Sequence, residues 1–212
     1  MRLFIQALVG IAVAVFLAYV VAFVWPPAPA YNPDPNHTHA DFAVWIGGKQ
    51  MDFSKPEFMS NELTSAEEEA LKNPKADAVA HDPSALRKYL HLHDGNGHVI
   101  HRHKPGLGVG DFFWSLGIDS THDCMTKPRR TCLDAGLGLR LFVNEKELPY
   151  VDNDVFADDD RILLTDSADP VEVQRELSLM TGDACRYSKT CPWKGAPPTE
   201  NCIADPEVPC KE

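Results

Sequence analysis

No two of the six cysteines stand in a C-x-x-C spacing, so the chain lacks the dithiol pair of a thioredoxin-type active site. Basic charge is scarce as well. Twenty Lys and Arg stand against 31 Asp and Glu, a formal net charge of −11. That balance argues against a nucleic-acid partner and suits solubility and attraction of cations. Neither H-E-x-x-H nor another hydrolase signature occurs. The acidic run Asp152, Asp154, Asp158, Asp159 and Asp160 lacks the loop glycine and the twelfth-position glutamate of an EF-hand, and reads as a solvated turn.

Long apolar runs are also missing after the first, which is residues 3–25. This stretch carries no charge and only Gln6 as a strongly polar interruption, and as a helix it is long enough to cross a hydrocarbon core of ~30 Å. Tyr19 and Trp25 stand near its far end, where amphipathic aromatics anchor at the interface. Arg2 precedes it and no Lys or Arg follows until Lys49. The positive-inside rule therefore predicts a single-pass protein with a cytoplasmic N-terminus and an extracytoplasmic domain, periplasmic or on the cell surface. Ala28-Pro29-Ala30 resembles a signal-peptide cleavage site, but the run exceeds a signal h-region and prolines surround the site, which favours an uncleaved signal-anchor. All six cysteines follow this segment, in keeping with an oxidising compartment.

The remaining organisation follows from composition. Residues 1–25 form the anchor, 26–36 a stiff Pro-rich spacer, 37–168 the main domain, and 169–212 a helix followed by a Cys/Pro-rich tail. The tail has too few apolar residues for a core, so two disulfides are expected to hold it; three connectivities remain open.

Chemistry concentrates in residues 89–103, YLHLHDGNGHVIHRH, where five of the nine histidines fall. Side chains alternate faces along a strand, so His91 and His93 share one face while Leu90 and Leu92 share the other. A hairpin with a Gly95-Asn96-Gly97 loop, Gly97 being left-handed, sets Asp94 opposite His98, His91 opposite His101 and Leu92 opposite Ile100. The rival Asn96-Gly97 two-residue turn puts His101 and His103 on the leucine face, and the consistent pattern is preferred. Directly opposed residues have Cβ atoms about 4.5–5.5 Å apart, a separation from which two imidazoles can converge on an ion. Residues at i and i+2 are farther apart, so further ligands must come from elsewhere.

If the strand in residues 37–53, HTHADFAVWIGGKQMDF, lies in the same sheet or meets it at one end, His37 and His39 are the natural source. Ala40, Phe42, Val44 and Ile46 fall on one strand face; His37, His39, Asp41 and Trp45 fall on the other. Gly47-Gly48 signals a hairpin turn. Asn36-His37-Thr38 matches a glycosylation sequon.

Between these stretches, residues 56–88 read as a mostly helical insertion. It has a capping box at Thr64 and Glu67, a break at Asn73-Pro74 and a helix start at Asp82-Pro83. Residues 109–116 predict a short helix ended by Gly117, with Val109, Phe112, Phe113 and Leu116 as core. Cys124 and Cys132 are expected to bridge across a loop. Strands follow at residues 137–143, 148–151 and 162–165, then a helix capped by Asp169-Pro170 that uses Val173, Leu177 and Met180.

Strand hairpin, insertion, helix, strand hairpin and final strand form the order of an α+β, β-grasp (ubiquitin-like) domain. The phrases HTHADF (37–42), HLHDGNGHVIH (91–101), GDFFWSLGI (110–118), LFVN (141–144), DRIL (160–163) and ACRYSKTCPWKGAPPTENC (184–202) resemble a family of membrane-anchored or secreted bacterial and archaeal His-rich proteins. Members are often labelled protein-disulfide isomerase, a label the cysteine spacing does not support. The resemblance touches His37, His39, His91, His93 and His101.

These features together predict a membrane-anchored, extracytoplasmic protein that binds a transition metal. Its ligands are drawn from His37, His39, His91, His93, His101 and His103. All-nitrogen coordination suits zinc, copper or nickel, zinc and copper above all. Two alternatives stand beside it. One is a metal-dependent hydrolase in which Asp94 or Asp41 acts as base or ligand-orienting group. The other is a thiol-disulfide oxidoreductase.

Overall fold

Nine residues, Thr38–Ile46, of which all but the last are buried, form the strand on which the molecule is assembled, β1. The computed structural model describes residues 2–20, 30–34, 36–60, 86–118, 124–125, 131–132, 138–149 and 155–199. Around β1 it has helix α1 (Arg2–Tyr19), strands β2 (Lys49–Gln50), β3 (Leu90–His91) and β4 (Val99–Arg102), and helix α2 (Val109–Ser115). Next come β5 (Cys124–Met125), β6 (Thr131–Cys132), β7 (Arg140–Val143), β8 (Lys146–Leu148) and β9 (Arg161–Thr165), then helices α3 (Pro170–Leu179) and α4 (Ala184–Tyr187).

The result is a mixed α+β structure with a mostly sheet core. One sheet runs in the order β3-β4-β1-β9-β7-β8, with β2 also paired to β1. β1 and β9 are parallel at its centre, and the other pairs are antiparallel. The turn between β1 and β2 places Gly47 and Gly48 at φ +58° and +72°, the double left-handed geometry that two-residue hairpins need. β5 and β6 form a separate ladder that pairs Cys124 with Cys132.

Alternation gives the large sheet two different faces. Ala40, Phe42, Val44, Leu90, Leu92 and Ile100 pack on the first face against Val109, Phe112, Phe113 and Leu116 of and after α2. Burying each such aliphatic or aromatic side chain is worth roughly 1.5–3 kcal/mol. On the second face, α3 covers one half, where Val173, Leu177 and Met180 meet Ala43, Trp45, Phe142 and Leu163. α4 covers the other half, with Ala184 and Tyr187 against Val99. Its approach is held by Asp41, whose carboxylate accepts from the Thr181 hydroxyl (2.6 Å) and from the backbone N–H groups of Asp183 (2.8 Å) and Ala184 (3.1 Å).

Several expectations are modified. Among the described residues no helix is long and apolar enough to cross a membrane. α1 has 18 residues, about 27 Å at 1.5 Å per residue, and the expected span continues into residues 21–25, outside the described set. Residues 30–34, part of the expected stiff spacer, dock on the domain. Ala30 N–H donates to the Thr190 carbonyl, and the Asn32 amide donates to the His37 carbonyl and to Asp158. The helical insertion lies largely in residues 61–85, also outside the described set, as do Cys202 and Cys210. In the tail, Cys185 is bonded to Cys191.

Candidate metal centre

The two H-x-H stretches meet on the second face of the sheet. His39 of β1 stands directly opposite His101 of β4, and His101 stands directly opposite His91 of β3. The expected hairpin register is thus the observed one. Its loop differs: Asp94 and Gly95 take the left-handed conformation (φ +58° and +69°), and Gly97 does not. Glycine is required at 97 for another reason. A Cβ there would lie 2.4 Å from the Ser54 nitrogen and 2.5 Å from the Phe53 carbonyl carbon. The chain after β2 passes too close to admit a side chain.

Three of the expected ligands converge tightly. His37, His39 and His101 each present a ring nitrogen within 4.8 Å of the others. The Nε2 atoms of His37 and His39 are 3.1 Å apart, and two nitrogens on one tetrahedral ion at zinc-type bond lengths lie about 3.3 Å apart. The spacing is one from which the three rings could hold a metal ion. His91, His93 and His103 surround this triad and lie outside it. His93 Nε2 is 3.1 Å from His101 Nδ1, and the His103 ring stacks on His37 and His91 with centroids 4.0 and 5.0 Å apart. His98, at the loop tip, is exposed.

Hydrogen bonds decide which nitrogen each ring offers. The Ser188 hydroxyl lies 2.6 Å from Asp158 Oδ1 and 2.8 Å from His39 Nδ1. A hydroxyl has one hydrogen and an ionised carboxylate only accepts, so Ser188 donates to Asp158 and receives the Nδ1–H of His39. His39 is left with its lone pair on Nε2, facing His37. By the same reasoning His91 donates Nδ1–H to the Arg87 carbonyl (2.9 Å) and His93 donates Nδ1–H to Asp94 (2.8 Å). Each of these rings therefore keeps an Nε2 lone pair for a ligand role. Partners of this kind orient metal-binding histidines and raise their basicity.

Burial disfavours the charged form of two of these rings, His91 and His103. His39, His91, His101 and His103 are at most 5 % exposed. Burial, reinforced by the neighbouring His93, pushes His91 down to about 4. Burial, then His37 and His91, also hold His103 well below the ordinary histidine range. Neutral imidazole is the metal-binding form. Tyr187 closes the site from above, its ring edge-on to His101 at 4.7 Å and its hydroxyl accepting from the Asn96 amide at 3.0 Å.

Ser188, Asp158 and Tyr187 are not legible as site residues in the sequence. Asp158 reads as part of a solvated turn. In the fold it accepts from the His39 backbone N–H (2.9 Å) as well as from Ser188. The only hint for the other two is their position between Cys185 and Cys191, whose bridge closes the loop that carries them.

No family model, curated protein or solved structure matches the chain.

Proposed function

We propose that this protein binds a transition-metal ion through His37, His39 and His101. The observation that carries this reading is the pairing of His39 with His101 across neighbouring strands, with His37 close enough to share the ion. Ligands that are all imidazole nitrogens favour zinc, copper or nickel over the oxygen-seeking magnesium and calcium. His91, His93 and His103 add a nitrogen-rich surround, and Ser188 holds His39 in its metal-binding tautomer.

The proposed setting is a β-grasp-like domain carried outside the cytoplasm on an N-terminal anchor. The first and last strands lying parallel at the sheet centre support the β-grasp reading. For the anchor, α1 leaves Val9, Ile11, Val15, Phe16 and Leu17 each more than half exposed, an apolar surface suited to lipid. Kinship with membrane-anchored and secreted His-rich proteins belongs to the same proposal, since HTHADF and HLHDGNGHVIH carry all three ligands.

A second reading is a metal-dependent hydrolase. Three nitrogen ligands leave a fourth position for an activated water, and His37 is the one ligand of the three that is not fully buried. The test of the leading proposal is elemental analysis of full-length protein after dialysis against equimolar zinc, copper and nickel. A His39→Ala, His101→Ala variant serves as control. One of these metals retained by the wild type and lost from the variant is expected. A wild type that retains none would remove both readings.

A further inference from the structure

Across β1, β4 and β3, His39, His101 and His91 form one straight cross-strand row, with His101 in the middle. The antiparallel register sends the outer histidines to opposite ends of that row. His37 precedes His39 toward the end where His103 lies, whereas His93 follows His91 toward the end where Val99 lies. His101 is therefore flanked on both sides. The ring centroids of His37, His39 and His101 are 4.4, 4.8 and 6.3 Å apart. Those of His91, His93 and His101 are 3.9, 5.7 and 5.9 Å apart. Between ring centroids, the second triad spans distances similar to the first.

Its donor atoms are prepared in the same way. Arg87 and Asp94 take the Nδ1–H protons of His91 and His93, so each ring keeps its lone pair on Nε2. His93 Nε2 is 3.1 Å from His101 Nδ1, which repeats the His37–His39 spacing of 3.1 Å and again approaches the edge of a tetrahedral nitrogen set, about 3.3 Å. A single ion on His37, His39 and His101 makes no use of these nitrogens.

We infer that the cluster holds two transition-metal ions, the second bound by His91, His93 and a shared His101. This rests on the metal-binding reading above. Sharing requires both ring nitrogens of His101, so its remaining N–H proton passes to solvent as the second ion binds. The side chain of His93 is 18 % exposed, whereas His91 and His101 are buried. The second ion therefore enters from the His93 side, beside the exposed carboxylate of Asp94.

The test is a count of ions per chain. Full-length protein is titrated with copper(II), freed of excess by gel filtration, and analysed for metal and by electron paramagnetic resonance. The wild type is expected to hold two copper ions per chain, with the second equivalent failing to add a normal isolated copper signal because the shared ring couples the ions. His93→Gln is expected to hold one, with an ordinary uncoupled signal and an unchanged circular dichroism spectrum. Wild type binding only one ion would overturn the inference and leave the metal-binding reading intact, and binding none would overturn both. Two ions retained by His93→Gln would also overturn it. Should that variant not fold, two uncoupled wild-type ions would do the same.

Discussion

The Ser188 hydroxyl lies 2.8 Å from Nδ1 of His39, a residue 149 positions earlier in the chain. The bond joins the loop after α4 to the strand at the centre of the sheet. It selects the His39 tautomer and does not touch the metal position itself. Ser188→Ala is expected to weaken metal affinity about 10-fold or more, the usual effect of losing such a partner, with little change in fold. Competition against a chromophoric chelator measures it, and unchanged affinity would remove Ser188 from the site.

The bridge between Cys185 and Cys191 closes the loop that contains both Tyr187 and Ser188. Replacing both cysteines with serine is expected to cost about 2 kcal/mol of stability for a loop of this size. It is also expected to lower metal affinity, because the cover and the His39 partner are held less firmly. Chemical denaturation and the same chelator competition read the two effects separately.

At Gly97 an added methyl group meets backbone, with the Ser54 nitrogen 2.4 Å and the Phe53 carbonyl carbon 2.5 Å away. Backbone cannot rotate aside as a side chain can. Gly97→Ala is expected to destabilise the fold by roughly 1–3 kcal/mol and to displace the hairpin that carries His93 and His101. A thermal melt with unaltered midpoint would refute this.

Glu176 lies on the buried face of α3, and burial raises its carboxyl above 4.5, with the Thr165 hydroxyl partly opposing. The folded state therefore binds a proton that the unfolded chain has already released. This contribution to stability is fully present below 4.5 and is lost as pH rises through the folded value. Glu176→Gln is expected to melt higher than the wild type near neutral pH, and the gap should close in acid. Paired melts of metal-free protein across that range decide it.

Local pattern accounts for much of this structure. Strict alternation around His91, His93 and His101 separates a polar from an apolar face, and favours the register in which His91 meets His101. The Gly47-Gly48 turn, the Val109–Ser115 helix with its aromatic core face, and the Asp169-capped helix follow from equally local rules. The role of Gly97 is not legible locally, because its constraint comes from residues 53 and 54 and not from its own turn. Asp158 looked like one acid among several for the same kind of reason.

By itself, then, the sequence determined which histidines share a face, since a strand's period of two depends only on covalent geometry. It also determined that H-x-H recurs at His37 and His39. It did not determine that these two stretches become neighbours. Only the tertiary structure decided that, by pairing β4 with β1 so that His39 faces His101, and by folding α4 back to set Ser188 and Tyr187 over the rings. Contacts between residues separated by tens of positions depend on how sheet and helix faces cover one another, and no local pattern encodes that arrangement.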